Sequence, residues 1–153
     1  MIERQVAHMT RLLDDLLDLS RLNRGELRLR REAIRLTDAL EHAQEIAQPV
    51  IAAGGHRLRV ESTEADLTIE GDMTRLAQIF SNLLINAAKY TPGAGQIEVR
   101  LAREGDAAVV SVSDSGVGIA PENHERIFEM FGQLQAEGEN QGGQGIGLAL
   151  TKA

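Results

Sequence analysis

The chain has 153 residues, and its length predicts one domain, or one domain with an appended element. Hydrophobic residues make up 42% and aromatic residues only 3%, so aliphatic side chains must fill the core. The absence of cysteine excludes disulfides, thiolate metal sites and cysteine nucleophiles. The net charge is −7, although residues 1–35 carry eight arginines against six acidic side chains. Because the chain as a whole is acidic, it is not expected to bind nucleic acid.

The first predicted element is an amphipathic helix over residues 1–24. Its apolar side chains recur at helical spacing, while arginines and aspartates take the other side, and Gly25 is a plausible C-terminal stop. The apolar stripe is wide and few residues precede it, so we expect a partner helix, such as a second copy of itself. No apolar run approaches the roughly 18 residues of a membrane span, and no signal-peptide pattern opens the chain. We therefore expect a cytoplasmic protein, or the cytoplasmic part of a membrane-bound one, without direct membrane contact in these residues.

The following segments alternate between strand and helix patterns. Residues 26–36 predict a strand, and Thr37 and Asp38 are typical of the start of a helix that runs to about Ala53, where two glycines end it. Asp72 is a good N-cap for a helix over 71–90. The other predicted elements are strands at 56–62 and 66–70, two strands within 95–116 joined by a turn at 104–106, a short helix after Pro121, a mobile stretch at 132–145, and a helix that restarts near 145.

Polar residues interrupt the helix predicted over 71–90. Helical spacing places one set of residues on a buried face, namely Leu76, Ile79, Phe80, Leu83 and Ala87, and another on a different face, namely Gln78, Asn82, Asn86 and Lys89. An asparagine amide can give its oxygen to a hard cation while its NH₂ group reaches a phosphate, and a lysine can add a charge for the same anion. The alternative is an ordinary amphipathic helix with a solvated face.

Two glycine-containing stretches could complete a site. Asp114 ends an apolar strand and is followed by Gly116 and Gly118, so its carboxylate could accept an N–H from a flat heterocycle for which the glycines leave room. The alternative is a surface turn, because D-S-G is common turn chemistry. Residues 142–150, GGQGIGLAL, could offer backbone N–H groups to phosphate at a helix N-terminus, although they could equally form a flexible linker and fit no usual nucleotide pattern.

The ordered combination is specific. NxxxNAxKYTP, DxGxG, IFEMF and GxGIGLAL follow one another, and together they resemble the ATP-binding domain of sensor histidine kinases, within the superfamily shared with gyrase-type ATPases and Hsp90. The resemblance covers about residue 38 to the end. Residues 8–29 also resemble the second helix of the histidine kinase dimerisation hairpin and its junction with the ATP domain.

The resemblance implies a role for each matching residue. It implies that the domain binds ATP with Mg²⁺. Asn86 would coordinate the metal, Asn82 would lie one turn earlier near the phosphates and the metal, and Lys89 and Tyr90 would lie beside the phosphates and the sugar. Asn82 and Lys89 are the expected catalytic residues. Asp114 would accept a hydrogen bond from the exocyclic amine of adenine. The remaining expected nucleotide-binding residues are Gly116, Gly118 and Ile119 around the adenine, Phe128 and Phe131 at the base of a lid, and Gly143, Gly145, Gly147 and Leu148 in the glycine box.

The implied fold is an α+β, two-layer α/β sandwich of the Bergerat type, with a mixed sheet of about five strands and an N-terminal dimerisation helix. Residues 1–24 would be the C-terminal helix of the dimerisation hairpin, and residues 25–153 the catalytic ATP-binding domain. The family domain continues past the glycine box, so we expect the last strands to be missing and a sheet edge to be exposed.

The implied activity is transfer of the ATP γ-phosphoryl group to a histidine and from there to an aspartate of a response-regulator receiver domain. The sequences after His8, His42, His56 and His124 do not fit the family's phosphoacceptor box. We therefore expect an acceptor histidine outside this chain and no autophosphorylation by the chain alone.

Other members of the superfamily remain alternatives. An ATP-gated conformational module of the gyrase or Hsp90 type would carry a glutamate general base where this chain has Asn82. The anti-sigma-factor serine kinases normally lack a helix such as 1–23, and a pseudo-kinase scaffold would not need the site residues that are intact here.

Overall fold

The computed structural model describes residues 2–64 and 66–126. Three helices, five strands and one 3₁₀ turn make up this part of the chain. In chain order they are α1 (Ile2–Asn23), β1 (Glu32–Arg35), α2 (Leu36–Ala53), β2 (Arg57–Ser62), β3 (Thr68–Gly71), α3 (Met73–Lys89), β4 (Gln96–Glu104), β5 (Ala107–Asp114) and the 3₁₀ turn (Pro121–Asn123).

Helix α1 ends in a glycine-dependent hydrogen-bonding motif. Gly25 has a φ of 67°, a left-handed conformation that favours glycine, and its N–H donates to the carbonyl of Leu22 at 3.0 Å. The N–H of Glu26 donates to the carbonyl of Arg21 at 2.8 Å. This pair of bonds is a Schellman motif, so the predicted helix and its stop at Gly25 are both confirmed.

Residues Leu29–Ile119 form a separate compact unit, and its strands lie in two sheets. Strands β1 and β3 pair antiparallel with Ile34 opposite Ile69. In the second sheet β4 is central, pairing parallel with β2 and antiparallel with β5. The second sheet is therefore mixed, as expected, but the five strands do not form the one sheet that the sequence predicted.

The core of this unit lies between the helices α2 and α3 and one face of the three-stranded sheet. Alternate residues of β4, namely Ile97, Val99 and Leu101, are fully buried, as a strand with one covered face requires. Leu40 of α2 and Leu84 of α3 belong to the same apolar cluster. The core contains one aromatic residue among its buried members in the described chain, Phe80, in line with the aliphatic composition.

Two predictions for these elements were wrong in part. The strand predicted over 26–36 is confined to Glu32–Arg35, because only there does β3 supply a pairing partner. On α3, Phe80 and Ala87 are buried as predicted, whereas Leu76, Ile79 and Leu83 are only half-buried. The fully buried face also includes Ala77, Ser81, Leu84, Ile85 and Ala88, because α3 packs against both α2 and the sheet and so buries a wider arc than one stripe.

Asp72 fixes the start of α3, as predicted. Its Oδ1 accepts a hydrogen bond from the N–H of Arg75 at 3.2 Å, which caps the helix. Its Oδ2 accepts from the N–H of Arg30 at 2.9 Å, which ties the segment before β1 to the same point. The hydrogen bond from the Arg30 backbone is the main reason that the pKa of Asp72 lies below its ordinary value, with burial acting against it.

We expect Asp72→Ala to lower the free energy of unfolding by about 1 kcal/mol at pH 7, because the helix loses its cap. Since the pKa of Asp72 is depressed in the folded state, its ionic contribution is present above the unfolded-state pKa and is lost as the pH falls through the folded-state pKa. Asp72→Asn keeps a capping oxygen without the charge. Urea unfolding from pH 7 to pH 3 should therefore show a steeper acid loss of stability for wild type than for Asp72→Asn, and parallel curves would contradict this account.

Candidate functional site

The polar residues of α3 occupy a half-buried side of the helix. Asn82, Asn86 and Lys89 are each partly covered, and the first two are separated by one helical turn. Gln78, one turn earlier, accepts a hydrogen bond from the Arg75 guanidinium at 3.0 Å. Gln78 therefore takes part in a pair within the helix, and the polar side chains near the C-terminal end of α3 remain the candidates for ligand binding.

The C-terminal end of α3 is closed by donors from beyond the helix. The N–H of Tyr90 donates to the carbonyl of Asn86 at 3.0 Å, and the buried hydroxyl of Thr91 donates to the carbonyl of Ala87 at 2.7 Å. The carbonyl of Tyr90 accepts from the N–H of Val117 at 3.3 Å. Since the last carbonyls of a helix have no partners within it, these bonds both satisfy the helix end and fix its position.

The segment after β5 is held by side-chain bonds to the backbone. Oδ1 of Asp114, an exposed residue, accepts from the N–H of Gly116 at 2.8 Å. Ser115 bonds twice to Gln96 at the start of β4: its N–H donates to the carbonyl at 3.1 Å, and its Oγ accepts from the N–H at 3.0 Å. The turn at Asp114 is thus attached to the sheet.

Gly116 lies where no side chain fits. A Cβ at this position would be 2.5 Å from the carbonyl oxygen of Tyr90 and 2.7 Å from Oδ1 of Asp114. Gly118 is required for a different reason, because its φ of 72° favours glycine although the space around it is open. Gly116 therefore lets the Asp114 segment approach the end of α3 closely, and Gly118 supplies the left-handed backbone conformation that follows.

The structure brings the two ends of this site into contact through Tyr90 and Val117. Tyr90 directly follows the helix that carries Asn82, Asn86 and Lys89. Val117 lies between Gly116 and Gly118, and Ile119 comes next. The other predicted site residues, Phe128, Phe131, Gly143, Gly145, Gly147 and Leu148, lie outside the described residues, as do the predicted mobile stretch and the helix near 145.

Sequence reasoning missed Thr91 and Ser115 as site-forming residues. Both are small hydroxyl residues beside a motif, and such side chains commonly bond to nearby backbone. That general tendency is the only sequence signal for them: Thr91 bonds to the Ala87 carbonyl one helical turn earlier, and Ser115 bonds to Gln96 of the neighbouring strand β4.

The donor set of the site favours a hard cation held with few protein ligands. Within residues 2–64 and 66–126, no group of three His, Asp or Glu side chains is placed to hold a metal ion. The amide oxygen of Asn86 is a ligand type that suits Mg²⁺, which binds through one or two protein groups together with phosphates and water. The residues present therefore fit a cation that arrives with a phosphate ligand.

Comparison with known proteins identifies the family. Residues 71–153, more than half of the chain, match the family described as histidine kinase-, DNA gyrase B- and HSP90-like ATPase, and the chain belongs to this family. The phosphate regulon sensor protein PhoR of Pseudomonas aeruginosa is 32% identical over 152 residues, covering 99% of this chain and 34% of that protein. The histidine protein kinase DivJ of Caulobacter vibrioides is 30% identical over 153 residues, covering 100% of this chain and 26% of that protein.

A solved structure shares the fold. The crystal structure of full-length ShkA in complex with AMPPNP is similar with a TM-score of 0.78 and 30% identity, covering 94% of this chain and 29% of that chain. The α+β fold is thus that of the histidine kinase catalytic domain, as predicted. The chain spans at most about a third of the length of the curated relatives described above. Among the described helices, none is both long enough and apolar enough to span a bilayer.

We expect Thr91→Val to lower the free energy of unfolding by about 1 kcal/mol, because the buried carbonyl of Ala87 loses its donor while the side-chain volume is kept. Thr91→Ser is the matched control, since it retains the hydroxyl and removes the methyl group. Chemical unfolding checks the difference. A Thr91→Val variant as stable as wild type would show that the hydroxyl does not hold the end of α3.

Proposed function

We propose that the chain is the ATP- and Mg²⁺-binding catalytic part of a two-component sensor histidine kinase. The observation that carries the proposal is the hydrogen-bonded junction between Tyr90 and Val117, which joins the end of the helix bearing Asn86 to the segment after Asp114. Sensor proteins and histidine kinases among the relatives, and the AMPPNP complex of the similar ShkA, support it.

The proposed binding mode uses the two sides of this junction differently. The exposed carboxylate of Asp114 accepts a hydrogen bond from the exocyclic amine of adenine, and Gly116 and Gly118 leave room for the ring beside Ile119. On α3, Asn82 and Lys89 meet the phosphates, and Tyr90 lies toward the sugar. Asn86 would hold Mg²⁺, which neutralises phosphate charge when bound. Phe128, Phe131, Gly143, Gly145, Gly147 and Leu148 are proposed to contact the nucleotide from the lid.

The proposed reaction is phosphoryl transfer to a histidine that does not belong to this chain. The bond between the γ-phosphorus and the bridging oxygen breaks as a ring nitrogen of that histidine attacks in line, and ADP leaves. The phosphoryl group then passes to an aspartate of a receiver domain. The proposed contribution of the chain is positioning and charge stabilisation, and Lys89 is proposed to stabilise the transferring group.

We expect wild type to bind ATP in the presence of Mg²⁺ in a calorimetric titration, and Asp114→Ala to weaken binding at least tenfold, because a hydrogen bond to a carboxylate contributes about 1.5–3 kcal/mol. Asn86→Ala should weaken binding in Mg²⁺ but much less in EDTA, whereas the Asp114→Ala effect should persist in EDTA. Asp106→Ala, in the exposed turn between β4 and β5, is the control. Equal affinities of wild type and Asp114→Ala would refute the adenine role.

Residues 1–24 are proposed to be a dimerisation helix that pairs with its copy in a second chain. Its apolar residues stay exposed along one stripe, with Val6 at 55%, Leu13 at 59% and Leu17 at 55% relative exposure. Three large apolar side chains at four- and seven-residue spacing are typical of a helix that packs on another helix. The proposed homodimer would cover this stripe.

We expect wild type to sediment as a dimer and Leu13→Glu/Leu17→Glu to sediment as a monomer, because two charges would be buried in the helix pair. Arg11→Glu, at an exposed position of the same helix, is the control and should remain dimeric. Sedimentation of wild type as a monomer up to high micromolar concentration would contradict the proposed dimer.

A further inference from the structure

His56 occupies a fixed place directly after α2. The helix ends in a Schellman motif in which Gly55, with a φ of 68°, donates to the carbonyl of Ala52 at 3.0 Å. The N–H of His56 donates to the carbonyl of Ile51 at 3.1 Å in the same motif. The end of α2 therefore fixes the position of the His56 backbone, from which the side chain extends.

The imidazole of His56 bonds to two backbone groups that are distant in sequence. The N–H of Gly95 donates to Nδ1 at 3.1 Å, so Nδ1 must be unprotonated. Nε2 then carries the hydrogen and donates to the carbonyl of Ala88 at 2.8 Å. The two contacts are consistent with a single neutral tautomer of the ring, and they use both of its nitrogen atoms.

Each of these backbone groups belongs to one side of the proposed nucleotide site. Ala88 lies in the last turn of α3, between Asn86 and Lys89, and its carbonyl is one of those that the helix cannot satisfy itself. Gly95 directly precedes Gln96, which holds Ser115 through two hydrogen bonds. The ring therefore links the last turn of α3 to the backbone that anchors the Asp114 turn.

Close packing keeps the ring in this orientation. A Cβ on Gly54 would be 2.2 Å from Nε2 and 2.5 Å from Cδ2 of His56, so the ring lies directly against the Gly54 backbone. A Cβ on Gly95 would be 2.1 Å from Cγ2 of Thr91 and 2.8 Å from Oγ of Ser115. The two glycines allow the ring, the Thr91 side chain and the Ser115 hydroxyl to meet within one small region.

We propose that His56 is a positioning residue for nucleotide binding, which acts through the carbonyl of Ala88 and the N–H of Gly95 to set Asn86 and Lys89 relative to Asp114. The inference rests on the proposed function, because it assumes that the site between these residues binds a nucleotide. His56 itself is not proposed to contact the nucleotide. The bonds it makes add a second link between the two halves of the site, beside the hydrogen bond from Val117 to Tyr90.

The test compares variants that remove the two bonds separately. His56→Phe keeps the ring shape and removes both bonds, His56→Gln can restore a donor near Ala88, and His56→Asn can restore an acceptor near Gly95. The exposed His42 on α2 supplies the control, His42→Phe. Each variant of the 153-residue chain is titrated with ATP and Mg²⁺ at a temperature where its separately measured unfolding curve shows it fully folded.

We expect His56→Phe to bind ATP about tenfold more weakly than wild type, because the Ala88 carbonyl and the Gly95 N–H are then no longer held by the same ring. His56→Gln and His56→Asn should each recover part of the loss, and His42→Phe should bind like wild type. Long-range ¹H–¹⁵N spectra of wild type should show His56 protonated at Nε2 alone.

The outcomes separate this inference from the proposed function. Wild type that binds ATP together with a His56→Phe variant of equal affinity would overturn the positioning role and leave the proposed function standing, even if the variant is less stable. A protonated Nδ1 in the neutral ring would also overturn it, because Gly95 would then lack its acceptor. Wild type that binds no ATP would overturn the proposed function and this inference together.

Discussion

The end of α3 is the constraint on which the site depends. A helix leaves its last carbonyl groups without internal partners, and here the donors come from Tyr90, Thr91, His56 and, past the helix, Val117. Because these donors belong to different parts of the chain, satisfying the helix end also assembles the strands and turns around it. The residues proposed to bind nucleotide lie on α3 and in the segment from Asp114 to Ile119, which this closure connects.

The same helix is fixed at its other end by one carboxylate. Asp72 caps α3 and simultaneously bonds to the backbone of Arg30, so the start of α3 and the segment before β1 meet at one point. Single hydrogen bonds contribute only about 1 kcal/mol each, and bonds that share partners are energetically coupled. The position of α3 thus results from a small number of coupled polar contacts at its ends added to the apolar core along its length.

The sequence predicted most elements because their signals are local. The Asp72 cap, the glycine stops after α1 and α2 and the turn at Gly105 each follow from the preferences of one or two residues, and each is confirmed. The strand predicted over 26–36 was too long, because alternation alone does not show where a partner strand ends. The division of the strands into two sheets depends on pairing between distant segments, which one sequence does not record.

For the candidate site, the sequence identified the motif residues but not the residues that hold them in position. Asp114 and Asn86 stand in recognisable patterns, whereas His56 acts through backbone groups that are distant in sequence and come near only after folding. Nothing distinguishes the His56 position from that of an ordinary histidine until Ala88 and Gly95 are seen on either side of its ring. A side chain whose partners are backbone atoms distant in sequence leaves little trace in a motif.

The parallel pairing of β2 with β4 has a consequence for how the chain folds. Neighbouring parallel strands require a long connection, and here that connection consists of β3 and α3. The helix that carries the candidate ligands is therefore enclosed in the loop that must close before β4 pairs with β2, and closing a long loop has an entropic cost that slows folding. Substitutions that loosen α3 would delay acquisition of the native sheet as well as altering what the finished domain binds.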